Sequence, residues 1–237
     1  MGELQINGVE VVDQSTSCLP FKCYFETLLS NGLDAKTSHL KTELWAKDLP
    51  ENCTRNETVP NDTTSGYITR KKRVEKSQEV QFIIEPHFDF LKCERLLIPG
   101  LNLKMRLIRS NDSFFMLAKK GKNYKVKIIS LNLSVRKVTL SPTLFTSHMS
   151  KIENNLALYP FSQTKITTEL LPAGITSKTI GSICNGVLPS QIYCCLVDTN
   201  AFSGDQSLNP YIMENGKLNY FVFKVVISLY IIHFINV

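Results

Sequence analysis

Residues 4–32, LQINGVEVVDQSTSCLPFKCYFETLLSNG, contain the two strongest local structural signals in the chain. Asn7-Gly8 accepts the positive φ angles of a two-residue hairpin turn, and alternating apolar residues flank it. Apolar side chains then recur at helical spacing after Pro20, which suits the first turn of a helix, and end at Gly32, which suits a helix terminus. The stretch predicts a β-hairpin followed by a helix from Pro20 to Gly32 whose aromatic stripe packs into a core.

Farther along the chain, apolar and polar residues alternate, as they do in strands with one buried face. Period-two runs occur at residues 80–90, 101–107 and 124–135, and shorter strand patches occur at residues 165–171 and 191–197. Successive strands with polar outer faces favour an antiparallel sandwich. The sequence therefore predicts a mainly β fold, a β-sandwich with short helices in its connecting loops.

One of those connecting helices is predicted to begin at Ser141-Pro142, a cap residue followed by a proline that suits the first turn. His148 lies on the apolar side of this helix and is expected to pack there rather than bind a ligand. The final residues, 220–237, are apolar but are interrupted by Lys224 and His233. Their length and β-branched content favour a buried strand over a membrane anchor, and both alternatives stay open.

Composition restricts the class of protein. The chain has 237 residues, 43% of them hydrophobic, which is enough to bury a core. A formal net charge of +6 permits non-specific contact with nucleic acid but does not require it. Residues 48–77 are polar and are predicted to form a solvated loop, with the basic run at residues 70–73 as part of it. No secretion signal is predicted at the start, and the seven cysteines are expected to be reduced thiols.

Motifs for catalysis are sparse in this sequence. Phosphate-binding glycine loops, nucleophile elbows and zinc-ligand spacings are all missing. His87 and Asp89 lie two residues apart on a predicted strand and could form a general-base pair, but no nucleophile accompanies them. We therefore predict no catalytic residue, no metal site and no bound cofactor.

The segment VDTNAFSGDQSLNPY, residues 197–211, spaces its polar residues as a cation-binding loop does. It lacks the glutamate that would complete an EF-hand loop. We interpret it as a loop whose Asp198 and Asn200 cap its own backbone, with Gly204 at a bend.

Five stretches together resemble one protein family. They are residues 4–40, 94–117, 124–148, 159–174 and 185–211. They are similar to the double jelly-roll major capsid proteins of Polinton/Maverick elements and adintoviruses, and the similarity covers about residues 3–220. The family's helix motif, YPYRAYxETLL, is matched here by the following residues: Pro20, Tyr24, Glu26, Thr27, Leu28 and Leu29.

The resemblance implies a part of a double jelly roll. Residues 1–140 would form the first jelly roll lacking its N-terminal strands, and residues 141–237 would begin the second, with a divergent apolar tail. The chain would then be a truncated endogenous copy of a capsid gene. Its location would be the virion when assembled and otherwise the cytoplasm or nucleus, without secretion.

The function that the resemblance implies is structural. The chain would be a capsid subunit that assembles into homotrimeric capsomers of an icosahedral shell, without catalysis. Its partners would be copies of itself and a minor capsid or penton protein. No small-molecule substrate, no membrane and only non-specific nucleic-acid contact are expected. The alternative is a membrane-tethered β-sandwich binding module anchored by residues 220–237, against which the missing secretion signal argues.

Overall fold

A computed structural model describes residues 2–14, 18–47, 66–118, 124–181, 183, 188–213, 216–225 and 228–232. The strands are β1 (Gly2–Ile6), β2 (Val9–Gln14), β3 (Leu103–Leu107), β4 (Phe221–Val225) and β5 (Ser228–Ile232). The α-helices are α1 (Leu19–Ser30), α2 (Leu33–Thr37), α3 (Gly66–Val74), α4 (Asp112–Phe115), α5 (Pro142–Asn154) and α6 (Thr199–Ser203). Short 3₁₀ helices lie at His39–Glu43, Glu75–Ser77 and Asp89–Lys92.

The main sheet is antiparallel and has the strand order β2-β1-β3. The predicted hairpin between β1 and β2 is confirmed: Asn7 and Gly8 both adopt positive φ angles, 51° and 81°. Leu4 in β1 pairs with Val12 on one side and with Met105 on the other. Paired residues of an antiparallel ladder share a face, so the apolar residues of the three strands lie on one side of the sheet.

The hydrophobic core forms on that side. Leu4, Phe88 and Phe90 are buried there. The partly buried residues packed against them are Ile6, Val11, Met105, Tyr159 and Phe161. The ring of Phe90 contacts the rings of both Tyr159 and Phe161, with centroids 5.9 Å and 5.5 Å away. Three distant parts of the chain therefore meet at one small aromatic cluster.

Helix α1 also borders this core. It starts at Leu19, one residue before the predicted Pro20, and ends at Ser30. Proline in the first turn costs no hydrogen bond, which explains why the helix begins there. The predicted aromatic stripe is only partly buried: Phe21 is buried, whereas Leu29 at its far end is half exposed.

The predicted mainly β jelly-roll sandwich is wrong. Helices contain more residues than strands, and the main sheet has only three strands in the described part of the chain. Of the period-two runs, only residues 101–107 produce a paired strand, β3. Residues 80–88, 124–135, 165–171 and 191–195 belong to no helix or strand. Alternation of apolar and polar residues favours a strand with one buried face. A strand forms only where a neighbouring strand can accept and donate its backbone hydrogen bonds.

Three further predictions concern single segments. Helix α5 confirms the helix that was predicted to begin after Ser141, but its His148 is exposed, so the packing role predicted for it is wrong. Residues 66–74 form α3 instead of the predicted loop, whereas residues 48–65 lie outside the described part.

The apolar C-terminal stretch contains β4 and β5, which pair as an antiparallel hairpin. This outcome agrees with the strand alternative for residues 221–225 and 228–232, although Val222 is 42% exposed, so burial of the strand is not shown. Residues 233–237 lie outside the described part. Among the described helices, none has the length and apolar character required to cross a membrane.

The chain divides into two compact units. The first contains Met1–Trp45, Val74–Ser110 and Tyr124–Leu170, and it holds the three-stranded sheet, α1 and α5. The second contains Ala46–Arg73, Asn111–Asn123 and Leu171–Val237, and it holds α4, α6 and the β4–β5 hairpin. The predicted domain boundary after residue 140 falls inside the segment Tyr124–Leu170.

Candidate functional site

A buried lysine lies at the centre of a charged cluster beside the core of the first unit. Lys22 projects from α1, and its side chain is only 1% exposed. Its ammonium group donates to Oδ1 of Asp89 at 2.6 Å and to the backbone carbonyl of His87 at 2.7 Å. Oε1 of Glu26, one helical turn along α1, lies 3.4 Å away. The ammonium group therefore has three oxygen neighbours where water is excluded.

Both carboxylate oxygens of Asp89 accept hydrogen bonds. Its Oδ1 accepts from Lys22, and its Oδ2 accepts from the backbone N–H of Thr164 at 2.8 Å. The hydroxyl of Thr164 lies 3.5 Å from Oδ1. The carboxylate therefore connects α1, the 3₁₀ helix Asp89–Lys92 and the segment that follows Phe161.

Glu26 forms the solvent-facing half of the cluster. Its Oε2 lies 2.6 Å from Nδ1 of His87 and 2.7 Å from Nζ of Lys92. Burial alone would raise the pKa of this carboxyl group, but hydrogen bonds from His87 and Lys92 and the charge of Lys22 lower the pKa to about 2. Glu26 is therefore ionised throughout the physiological range.

The general-base pair that was considered for His87 and Asp89, and not predicted, does not form. His87 contacts Glu26, and Asp89 contacts Lys22 and Thr164, so the two residues bind different partners. The roles of Lys22 and Glu26 in the cluster were not predicted from the sequence. Their spacing in the sequence could have indicated the cluster, because a lysine inside the apolar stripe of a helix and a glutamate four residues later lie on the same helix face.

An open cleft of about 440 Å³ adjoins the cluster. Its lining residues are Asp89, Lys92, Cys93, Glu94, Arg95, Pro160, Phe161 and Ser162. Both basic residues of the lining have partners: Lys92 binds Glu26, and the guanidinium of Arg95 donates to the carbonyl of Leu158 at 2.8 Å. The contacts of the charged cluster connect three segments of the chain.

The loop at residues 197–211 belongs to the second unit. Oδ1 of Asp198 accepts from the N–H groups of Asn200 and Ala201, at 2.8 Å and 3.3 Å, so Asp198 caps α6 as predicted. Gly204 ends this helix with a φ of +96°. Asn200 contributes its backbone carbonyl, which accepts from the N–H of Gly204. The polar residues of the loop therefore stabilise its own turn.

The cysteines of the described part, five of the seven, are thiols, in agreement with the prediction for them. Burial raises the pKa of Cys23 to about 11 and also raises the pKa of Cys194 and of Cys195. Such thiols are protonated near neutral pH and are weak nucleophiles. Cys53 and Cys184 lie outside the described residues. Within the described residues, no group of three or more His, Cys, Asp or Glu side chains could hold a metal ion.

One segment of the first unit has many exposed apolar side chains. We call residues 128–138 the solvated segment. It belongs to no helix or strand, and six of its large apolar side chains are 53% to 74% exposed. These are Ile128, Ile129, Leu131, Leu133, Val135 and Val138. Several exposed apolar side chains close together in the chain are typical of surfaces that bind other molecules.

Comparison with known proteins gives no relative: no family model, curated protein or solved structure matches this chain.

Proposed function

We propose that this protein is a structural subunit that associates with copies of itself. The observation that carries the proposal is the solvated segment, because six large apolar side chains in succession face water. The resemblance to capsid proteins of Polinton/Maverick elements and adintoviruses supports the same function. Homotrimeric capsomers and a closed shell are the assemblies that the resemblance implies.

Burial of apolar side chains would supply free energy for this association. Complete burial of a large aliphatic side chain is worth about 1.5–3 kcal/mol relative to full exposure. For six side chains that are a little over half exposed, association would gain on the order of 5–10 kcal/mol before its entropic cost. Association itself costs about 4–15 kcal/mol in lost translational and rotational freedom, so this gain offsets that cost in part or by a small margin. The solvated segment would therefore contribute to self-association together with further contacts between copies.

The charged cluster supports a structural function rather than an enzymatic one. Its central groups, Lys22 and Asp89, are buried and hold each other, and Glu26 is ionised by its own neighbours. A general base needs a pKa near the working pH and a proton within reach. The pKa of about 2 makes Glu26 a poor base, so the cluster is better suited to holding the fold.

The test is a pair of serine substitutions in the solvated segment, Ile129→Ser with Leu131→Ser. The matched control is Leu156→Ser, which also changes a highly exposed leucine of the first unit, outside the segment. Sedimentation velocity and negative-stain electron microscopy of the full chain measure the size of the assemblies. Circular dichroism reports whether the fold is retained.

We expect the wild-type chain and Leu156→Ser to form trimers or larger closed particles. The double variant should self-associate more weakly than both, with an unchanged spectrum. A wild-type chain that is monomeric at tens of micromolar would refute the proposal. Assemblies of undiminished size and strength in the double variant would refute the role of the solvated segment.

A further inference from the structure

The three-stranded sheet has two open edges in the described part of the chain. Its order is β2-β1-β3, so β1 is paired on both sides while β2 and β3 are each paired on one. An open edge presents backbone N–H and C=O groups that another strand can pair with. The question is which strand each edge accepts.

The apolar face of the sheet continues past its centre to both edges. Ile6 in β1 pairs with Val9 in β2 and with Leu103 in β3, so all three side chains lie on the core side. Leu4 in the centre is fully buried, but Val9 is 68% exposed and Leu107, at the other end of β3, is 53% exposed. A further strand at either edge would cover apolar groups that the chain itself leaves in water.

The two edge strands carry opposite charges. Strand β2, VEVVDQ, contains Glu10 and Asp13 and no basic residue, whereas β3, LKMRL, contains Lys104 and Arg106 and no acidic residue. The sheet already uses one such attraction internally. Glu3 of β1 pairs with Arg106 of β3, and their charged groups lie 3.5 Å apart.

We propose that β2 of one copy adds to β3 of a second copy, so that the sheet continues from chain to chain. Pairing β3 with β3 would place lysine and arginine side chains of both copies beside each other. Pairing β2 with β2 would do the same with acidic side chains. Like charges on adjacent strands are unfavourable, and only the mixed pairing places opposite charges together.

This inference rests on the proposed function, because it names the partner and one of the surfaces through which copies associate. A contact between two different edges is heterologous. Each copy keeps one edge for the next copy, so the contact produces a ring where the rotation closes and a filament where it does not.

Two charge reversals test the proposal without disturbing the sheet. Glu10 and Lys104 both pair with Gln5, which is uncharged, so Glu10→Lys and Lys104→Glu each change one outer edge only. Each variant retains one native edge: β3 in Glu10→Lys and β2 in Lys104→Glu. The controls are Glu79→Lys and Lys41→Glu, which reverse exposed charges of the same unit away from the sheet. Circular dichroism again confirms the fold.

Sedimentation velocity of the full-length chain distinguishes the outcomes. We expect each edge variant alone to self-associate about tenfold more weakly than wild type, while the controls behave as wild type. In an equimolar mixture, the native β2 of Lys104→Glu meets the native β3 of Glu10→Lys, and the two reversed edges again carry opposite charges at these positions. The mixture should therefore associate more strongly than either variant alone. Stronger association of Lys104→Glu alone would overturn the proposal in favour of β3–β3 pairing. If the wild-type chain assembles and neither reversal alters its assembly, the β2–β3 contact is overturned but the proposed function stands. If the wild-type chain is monomeric, both are overturned.

Discussion

Nζ of Lys22 lies 2.6 Å from Oδ1 of Asp89, although the two residues are 67 positions apart and both side chains are buried. The contact fixes α1 against the 3₁₀ helix that contains Asp89. Because a buried charge without its counter-charge is costly, the pair makes the packing of the two segments interdependent.

Replacing the lysine with an apolar side chain of similar length tests this dependence. Lys22→Met would leave the buried carboxyl group of Asp89 without its counter-charge, with Thr164 as its remaining donor. We expect the free energy of unfolding to fall by about 3–5 kcal/mol in urea denaturation. The control is Lys92→Met, which removes a 41% exposed partner of Glu26 and should cost about 1 kcal/mol or less. Equal losses in the two variants would contradict the role assigned to the buried pair.

The pKa of Glu26 predicts how stability depends on pH. Its pKa falls from 4.5 to about 2 on folding, so the folded state binds the proton more weakly than the unfolded state does. The resulting stabilisation is fully present above pH 4.5 and is lost as the pH falls towards 2. The difference corresponds to a contribution on the order of 3 kcal/mol.

Glu26→Gln isolates this contribution. The difference in unfolding free energy between wild type and the variant should shrink as the pH is lowered from 6 to 2.5, measured by urea denaturation at each pH. Glu79→Gln, at an exposed position, should parallel the wild type throughout. A gap between wild type and Glu26→Gln that stays constant over this range would show that the carboxylate is not held ionised by its neighbours.

How much of the fold the sequence predicts depends on the range of the interaction. The Asn7-Gly8 turn is decided by two adjacent residues, and the start of α1 is decided by Pro20. Both were predicted correctly, because the determining contacts lie within a few residues. The solvated segment shows the limit: its alternation is typical of a strand, yet it pairs with nothing in the described chain.

The charged cluster required information that a single sequence lacks. Lys22 and Glu26 share a helix face, but their partners His87 and Asp89 follow more than 60 residues later. His87 and Asp89 do stand out together in the sequence, where their spacing predicts one strand face. A 3₁₀ helix begins at Asp89 instead and directs the two side chains to different partners.

Gly204 tests the packing of the second unit. Its φ of +96° favours glycine, and a Cβ placed there would lie 3.0 Å from Oγ of Ser113 and 3.3 Å from N of Phe114. Gly204→Ala should lower the free energy of unfolding by about 1–2 kcal/mol through backbone strain, and further through these contacts. The same substitution in a Ser113→Ala background should cost less, because the closest atom is gone. An equal loss of unfolding free energy in the two backgrounds would show that the Ser113 hydroxyl moves aside without cost.

Asp198 provides the last prediction, which concerns local rather than global stability. Its carboxylate accepts from the N–H groups of Asn200 and Ala201, which the first turn of α6 cannot satisfy internally. Asp198→Ala should destabilise this turn by about 1 kcal/mol, seen as roughly fivefold faster hydrogen exchange of those two amides. Asn111→Ala is the matched control, because Asn111 occupies the cap position of α4 without a side-chain hydrogen bond to that helix. Its effect on the amides of α4 should be smaller. Unchanged exchange at Asn200 and Ala201 in Asp198→Ala would mean that the loop holds its shape without the cap.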